Sequence, residues 1–116
     1  QEILNAEVLT GVEYLDKTVD FAFSSDLMSD VLAYVKEDTV LLTGLNNLQV
    51  VRTAEMIDLT TIVFVRGKMP SIEIIEMAKK SNICLLLTKD TMYTASGKLY
   101  SMGLEGICIE RGAMER

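Results

Sequence analysis

TVLLTGLNNLQVVRTAEMIDLTTIVFVRG, residues 39–67, decides how this chain is read. It opens with a short apolar run, TVLLTG (39–44), and closes with another, TIVFVRG (61–67), each ending in glycine. Short, uninterrupted runs of Val, Ile and Leu read as strands buried on both faces, as in a parallel sheet. Between them Val50, Val51, Ala54 and Ile57 recur at helical spacing, with Asn46 or Asn47 placed to cap the first turn. The stretch is therefore a strand, a helix and a second strand.

The pattern continues in both directions. A third run, ICLLLT (83–88), follows a helical segment in which Ile72, Ile75 and Ala78 recur and Ile74 and Met77 widen the apolar face. Pro70 fits the first turn of that helix, with Ser71 as an alternative cap. After residue 88 the periodicity of Tyr93, Leu99, Tyr100 and Met102 predicts another helix, capped by Asp90 and stopped at Gly103. Upstream, DFAFSS (20–25) reads as a strand. The helix expected from Asp26 to Val35 has Leu27, Met28, Val31, Leu32 and Val35 on its apolar face and Ser24 or Ser25 as cap. AEVLTG (6–11) and EGICIE (105–110) are weaker strand signals. Repeated strand–helix units imply crossover connections and parallel pairing. The expected fold is α/β: a single domain, mainly parallel sheet with helices packed on its faces. It spans residues 1–112, with a frayed tail at 113–116.

Composition removes several functions. The chain has 116 residues, 49% of them hydrophobic, and a net charge of −6, which suits one acidic domain with a real core. An acidic surface is a poor holder of a phosphate backbone, so nucleic acid is not an expected partner. No apolar run approaches the ~20 residues of a membrane helix, and Gln1–Thr10 has no basic start or long apolar core of the signal-peptide kind. A cytoplasmic setting is expected, with Cys84 and Cys108, both in apolar runs, as buried reduced thiols. The chain has no histidine, which removes Ser-His-Asp and Cys-His catalysis and the usual zinc sites. SGKLY (96–100) resembles the end of a P-loop, but Met92 stands where the first glycine belongs and Leu99 where Ser or Thr belongs. The pairs Glu73/Glu76 and Glu105/Glu110 read as solvated surface. No catalytic residue, metal or cofactor is expected.

Ligands of open parallel sheets bind beyond the carboxyl ends of the strands. Three such ends carry small or polar residues: Thr43, Gly44, Asn46 and Asn47; Arg66, Gly67 and Ser71, with Lys68 beside them; and Thr88, Asp90 and Thr91. Each precedes a helix start, where free N–H groups favour an anion, and Arg66 could fork onto a phosphate or carboxylate. The same residues are also what strand-to-helix turns need without any ligand. Arg66 is the exception, since no turn requires an arginine.

DTVLLTGLNNLQ (38–49) and TIVFVRGKMPSIEIIEMAKKSNICLLLTKDTMYTA (61–95), with ILNAEVLTGVEYLDKTV (3–19) ahead of them, resemble the DRTGG domain family over roughly residues 3–102. A fainter likeness extends to the N-terminal domain of HPr kinase/phosphorylase, which lacks that enzyme's P-loop. The matching positions are Thr43 and Gly44, Gly67 and Pro70, and Thr88, Asp90 and Thr91. Leu45 stands where a second glycine is usual, Asn46 and Asn47 replace an acidic/basic pair, and Arg66 replaces Thr or Gly. The resemblance implies a non-enzymatic regulatory module, found beside CBS domains in regulated pyrophosphatases, that dimerises and responds to adenine nucleotides. The expectation is thus a homodimer that binds a nucleotide or other small anion at the strand ends. The alternative is a pure protein–protein assembly module with no metabolite ligand. Its motive is a surplus of apolar residues: Met28, Tyr34, Met69, Met92 and Tyr93.

Overall fold

In the computed structural model, the described residues are 6–10, 21–35 and 39–106. They form one six-stranded sheet and four helices. In chain order these are β1 (Glu7–Thr10), β2 (Phe21–Ser24), α1 (Met28–Tyr34), β3 (Thr39–Thr43), α2 (Leu48–Met56), β4 (Thr61–Phe64), α3 (Ile72–Lys80), β5 (Cys84–Leu87), α4 (Met92–Ser101) and β6 (Glu105–Gly106). The strand order is β1-β5-β4-β3-β2-β6. Every pairing is parallel except β1 on β5, which is antiparallel and carries a register shift between Val8 and Thr10.

The uninterrupted apolar runs are explained by burial on both sides. Leu41, Ile62 and Leu85 align across β3, β4 and β5 and face the cluster made by Val31 of α1, Val50, Val51 and Ala54 of α2, and Ile74 and Ala78 of α3. Leu42, Val63 and Leu86 form the next row and point to the opposite side, where they pack with Val40, Val65, Cys84 and Ala95 of α4. Side chains alternate across a strand, so one run feeds two cores. Three helices thus cover one face, and α4 crosses the other, packing on β2 and β3.

Three helices stop by the same device. Asp58, Asn82 and Gly103 take positive φ angles of 56°, 59° and 105° just beyond α2, α3 and α4. The N–H groups of Leu59, Ile83 and Leu104 then reach back to the carbonyls of Ala54, Ala78 and Leu99, at 2.9, 2.9 and 3.1 Å. These are Schellman stops, in which the left-handed residue turns the chain and the next, apolar residue packs back on the helix. Leu59 and Ile83 are buried in the three-helix core.

The structure corrects several expectations. Pro70 lies before α3, not in its first turn. Ser71 is the cap, its hydroxyl accepting from the Ile74 N–H. Thr91, not Asp90, precedes α4. Leu27 occupies the cap position of α1, and Ser25 instead accepts from the Leu27 N–H at 3.0 Å. Leu27, Leu32 and Ile72 are exposed, and so are Tyr93, Tyr100 and Met102. The buried face of α4 is centred on Ala95, with Met92 and Leu99 half-buried. The reason is that α4 lies close against the sheet, where a small residue fits and a tyrosine does not. Cys84 is buried in the core. Cys108, the remainder of EGICIE and the tail lie outside the described residues.

Candidate functional site

The carboxyl ends of β2 to β5 lie side by side, so the turns that follow them meet. The end of β3 is a knot of hydrogen bonds. The Thr43 hydroxyl donates to Asp26 Oδ1 at 2.9 Å and accepts from the Leu45 N–H at 3.1 Å. The Gly44 N–H donates to the same carboxylate oxygen at 2.7 Å. Asp26, just past β2, thus fastens the end of the next strand. Sequence reasoning missed it, because a single acid after a strand has no distinctive spacing.

The end of β4 is the tight turn Arg66–Gly67, both residues at φ 68°. Two successive positive φ angles are the backbone of a type I′ turn. Gly67 tolerates this; Arg66 does not, at a cost of about 1–2 kcal/mol. The turn is held by its own amides. The Arg66 N–H donates to the Asp90 carbonyl and the Gly67 N–H to the Thr88 carbonyl, both at 2.8 Å. The Arg66 side chain runs the other way, its Nη2 donating to the Gly44 carbonyl at 3.2 Å. A methyl on Gly44 would sit 2.6 Å from that nitrogen, so this glycine makes room for a guanidinium. Arg66 makes no ion pair with any described residue.

The end of β5 repeats the chemistry of β3. The Thr88 hydroxyl accepts from the Asp90 N–H at 3.2 Å, and the Asp90 carboxylate accepts from Lys98 Nζ of α4 at 2.8 Å. Around this turn lies a cleft of about 320 Å³, lined by Glu7, Gly67, Leu87, Thr88, Lys89, Asp90 and Lys98.

The ten sequence candidates are therefore neighbours with different roles. Gly67, Thr88 and Asp90 line the cleft. Thr43 and Gly44 belong to the Asp26 knot, and Arg66 spans the two turns. Asn46 donates from Nδ2 toward the Lys68 and Met69 carbonyls at 3.4 and 3.5 Å, bracing the approach to α3. Asn47 and Thr91 sit at the starts of α2 and α4 without a side-chain cap bond, while Thr91 donates to the Thr94 hydroxyl at 3.3 Å. Ser71 is spent on its own helix. Among the described residues no His, Cys, Asp or Glu cluster is able to hold a metal, and no helix is long and apolar enough to cross a membrane.

The profile of the DRTGG domain matches residues 1–102. The chain belongs to the DRTGG domain family. It is an α/β domain of that family, with the strand ends as its loop-rich face. Its fold is similar to that in the crystal structure of the CBS and DRTGG domains of the regulatory region of Clostridium perfringens pyrophosphatase, complexed with the activator diadenosine tetraphosphate. The TM-score is 0.66 at 20% identity, over 84% of this chain and 43% of that one. This DRTGG chain thus spans less than half of that regulatory region. No curated protein matches it in sequence.

Proposed function

We propose that this DRTGG domain is a non-catalytic regulatory module that dimerises and binds a small anionic ligand of the adenine-nucleotide class at its carboxyl strand ends. The observation that carries the reading is Arg66. Arg66 is exposed and its guanidinium touches a carbonyl rather than a carboxylate, and its backbone holds a left-handed conformation that nothing in arginine favours. Backbone strain of this kind collects at ligand sites. The structural neighbour with a bound nucleotide activator supports the ligand class. The chain has no histidine, which supports the non-catalytic part.

Thermal unfolding with AMP, ADP and diadenosine tetraphosphate tests this. Ligand at 100 times its dissociation constant should add about 2.7 kcal/mol. Arg66→Gly removes the guanidinium while keeping a residue at ease with positive φ, and should abolish that gain. No stabilisation of the native domain by any of the three would refute the reading.

A second reading, assembly without a metabolite, rests on α4. Tyr93 is 89% and Tyr100 75% exposed, seven residues apart and so on one side of the helix. Light scattering decides the homodimer: a monomer at high concentration removes it.

A further inference from the structure

The cleft at the end of β5 contains two cations and two acids. Lys98 is held by Asp90 at 2.8 Å, while Lys89 makes no ion pair with any described residue. Glu7, on the antiparallel strand β1, stands on the cleft wall. The pair is half open to solvent, with Lys98 41% and Asp90 22% exposed, so it is weak and exchangeable. A phosphate offers Lys98 a more highly charged partner than Asp90 does. The volume of about 320 Å³ lies at the small end of ligand sites, which suits a monophosphate better than a dinucleotide. Glu7 is an acceptor, which suits a ligand body rich in hydroxyl donors.

Resting on the anion-binding reading above, we propose that this cleft takes the phosphate monoester of a sugar or nucleoside. Lys89 and Lys98 hold the phosphate, Glu7 accepts from the sugar hydroxyls, and Asp90 competes with the ligand for Lys98. The competition makes Asp90 a built-in weakener of binding. Arg66 lies outside the cleft lining and is left to the adenine end of a nucleotide, where a guanidinium can stack on the base.

Calorimetric titration of AMP, ribose 5-phosphate and inorganic phosphate into the folded chain tests the proposal. Lys98→Met and Lys89→Met should each weaken AMP and ribose 5-phosphate about ten-fold or more, the scale of a lost charge-assisted hydrogen bond. Asp90→Asn should tighten all three several-fold. Its backbone N–H and carbonyl, which serve Thr88 and Arg66, are untouched by the change. Glu7→Ala should remove the advantage of ribose 5-phosphate over inorganic phosphate. Asp90→Asn binding that is unchanged or weaker overturns the proposal. So does AMP binding lost in Arg66→Gly but normal in both lysine variants, which would keep the broader reading and move its site. Ribose 5-phosphate binding without AMP binding supports the cleft and removes the adenine preference. Silence from all three probes overturns the proposal, and the broader reading is then decided by ADP and diadenosine tetraphosphate.

Discussion

Thr43 and Thr88 close β3 and β5 in the same way. Each is buried, and each hydroxyl accepts from the N–H two residues on, at 3.1 and 3.2 Å. What surrounds them differs. Thr43 meets the carboxylate of Asp26, which also takes the Gly44 N–H, so this turn is saturated by its own chain. The carboxylate beside Thr88 is Asp90, which looks outward into a cleft and holds a lysine. Identical turn chemistry thus makes a fastening in one place and the rim of a concavity in the other. The difference lies in which neighbour supplies the acid.

The largest expected effect breaks the first turn. Asp26→Ala strips two hydrogen bonds from a carboxylate and should cost about 2–3 kcal/mol in urea unfolding. A loss below about 0.5 kcal/mol would show that water replaces Asp26 freely, leaving the turns equivalent. Arg66 touches both turns, so it sharpens the contrast. Arg66→Gly keeps the amide bonds to the β5 turn, relieves the left-handed strain and should raise stability by about 1 kcal/mol. Gly67→Ala should lower it by a similar amount. Both are read from thermal midpoints.

Next come the helix starts beside these turns. Ser71→Ala should cost about 1 kcal/mol by chemical denaturation, because its hydroxyl serves the Ile74 N–H. Thr91→Ala, with no such bond, should cost clearly less. The smallest effect falls on the open turn: Lys98→Met should change stability by less than about 0.5 kcal/mol, as an exposed pair does. A larger loss would make the Asp90 turn a fastening too.

Much of the fold was legible because its parallel core leaves a plain mark. Val40–Leu42, Ile62–Val65 and Ile83–Leu86 are apolar without alternation, since both faces are covered. The helix faces were less so. Tyr93 and Tyr100 carry helical spacing but point outward, whereas Ala95, the true contact, is too small to register in a hydrophobic pattern. Asp58 and Asn82 went unread as helix stops, because a left-handed residue other than glycine is visible only in the backbone. At the candidate site, residue types marked the right loops. They could not distinguish Thr43 from Thr88, because Asp26 is 17 residues from its partner and Lys98 belongs to the next helix.

The shared stops of α2 and α3 bear on where this domain can change. Leu59 and Ile83 are each the last grip of one helix and lie one or two residues before the next strand. An extra residue inserted between Leu59 and Thr61 would exchange the facing of Ile62 and Val63 and turn β4 inside out. The connection from β4 to α3 has no such lock-step: seven residues separate those elements, where three, the helix stop included, separate α3 from β5. An insertion between β4 and α3 is therefore tolerated better than one between α3 and β5, which lets that loop vary while the core keeps a single register.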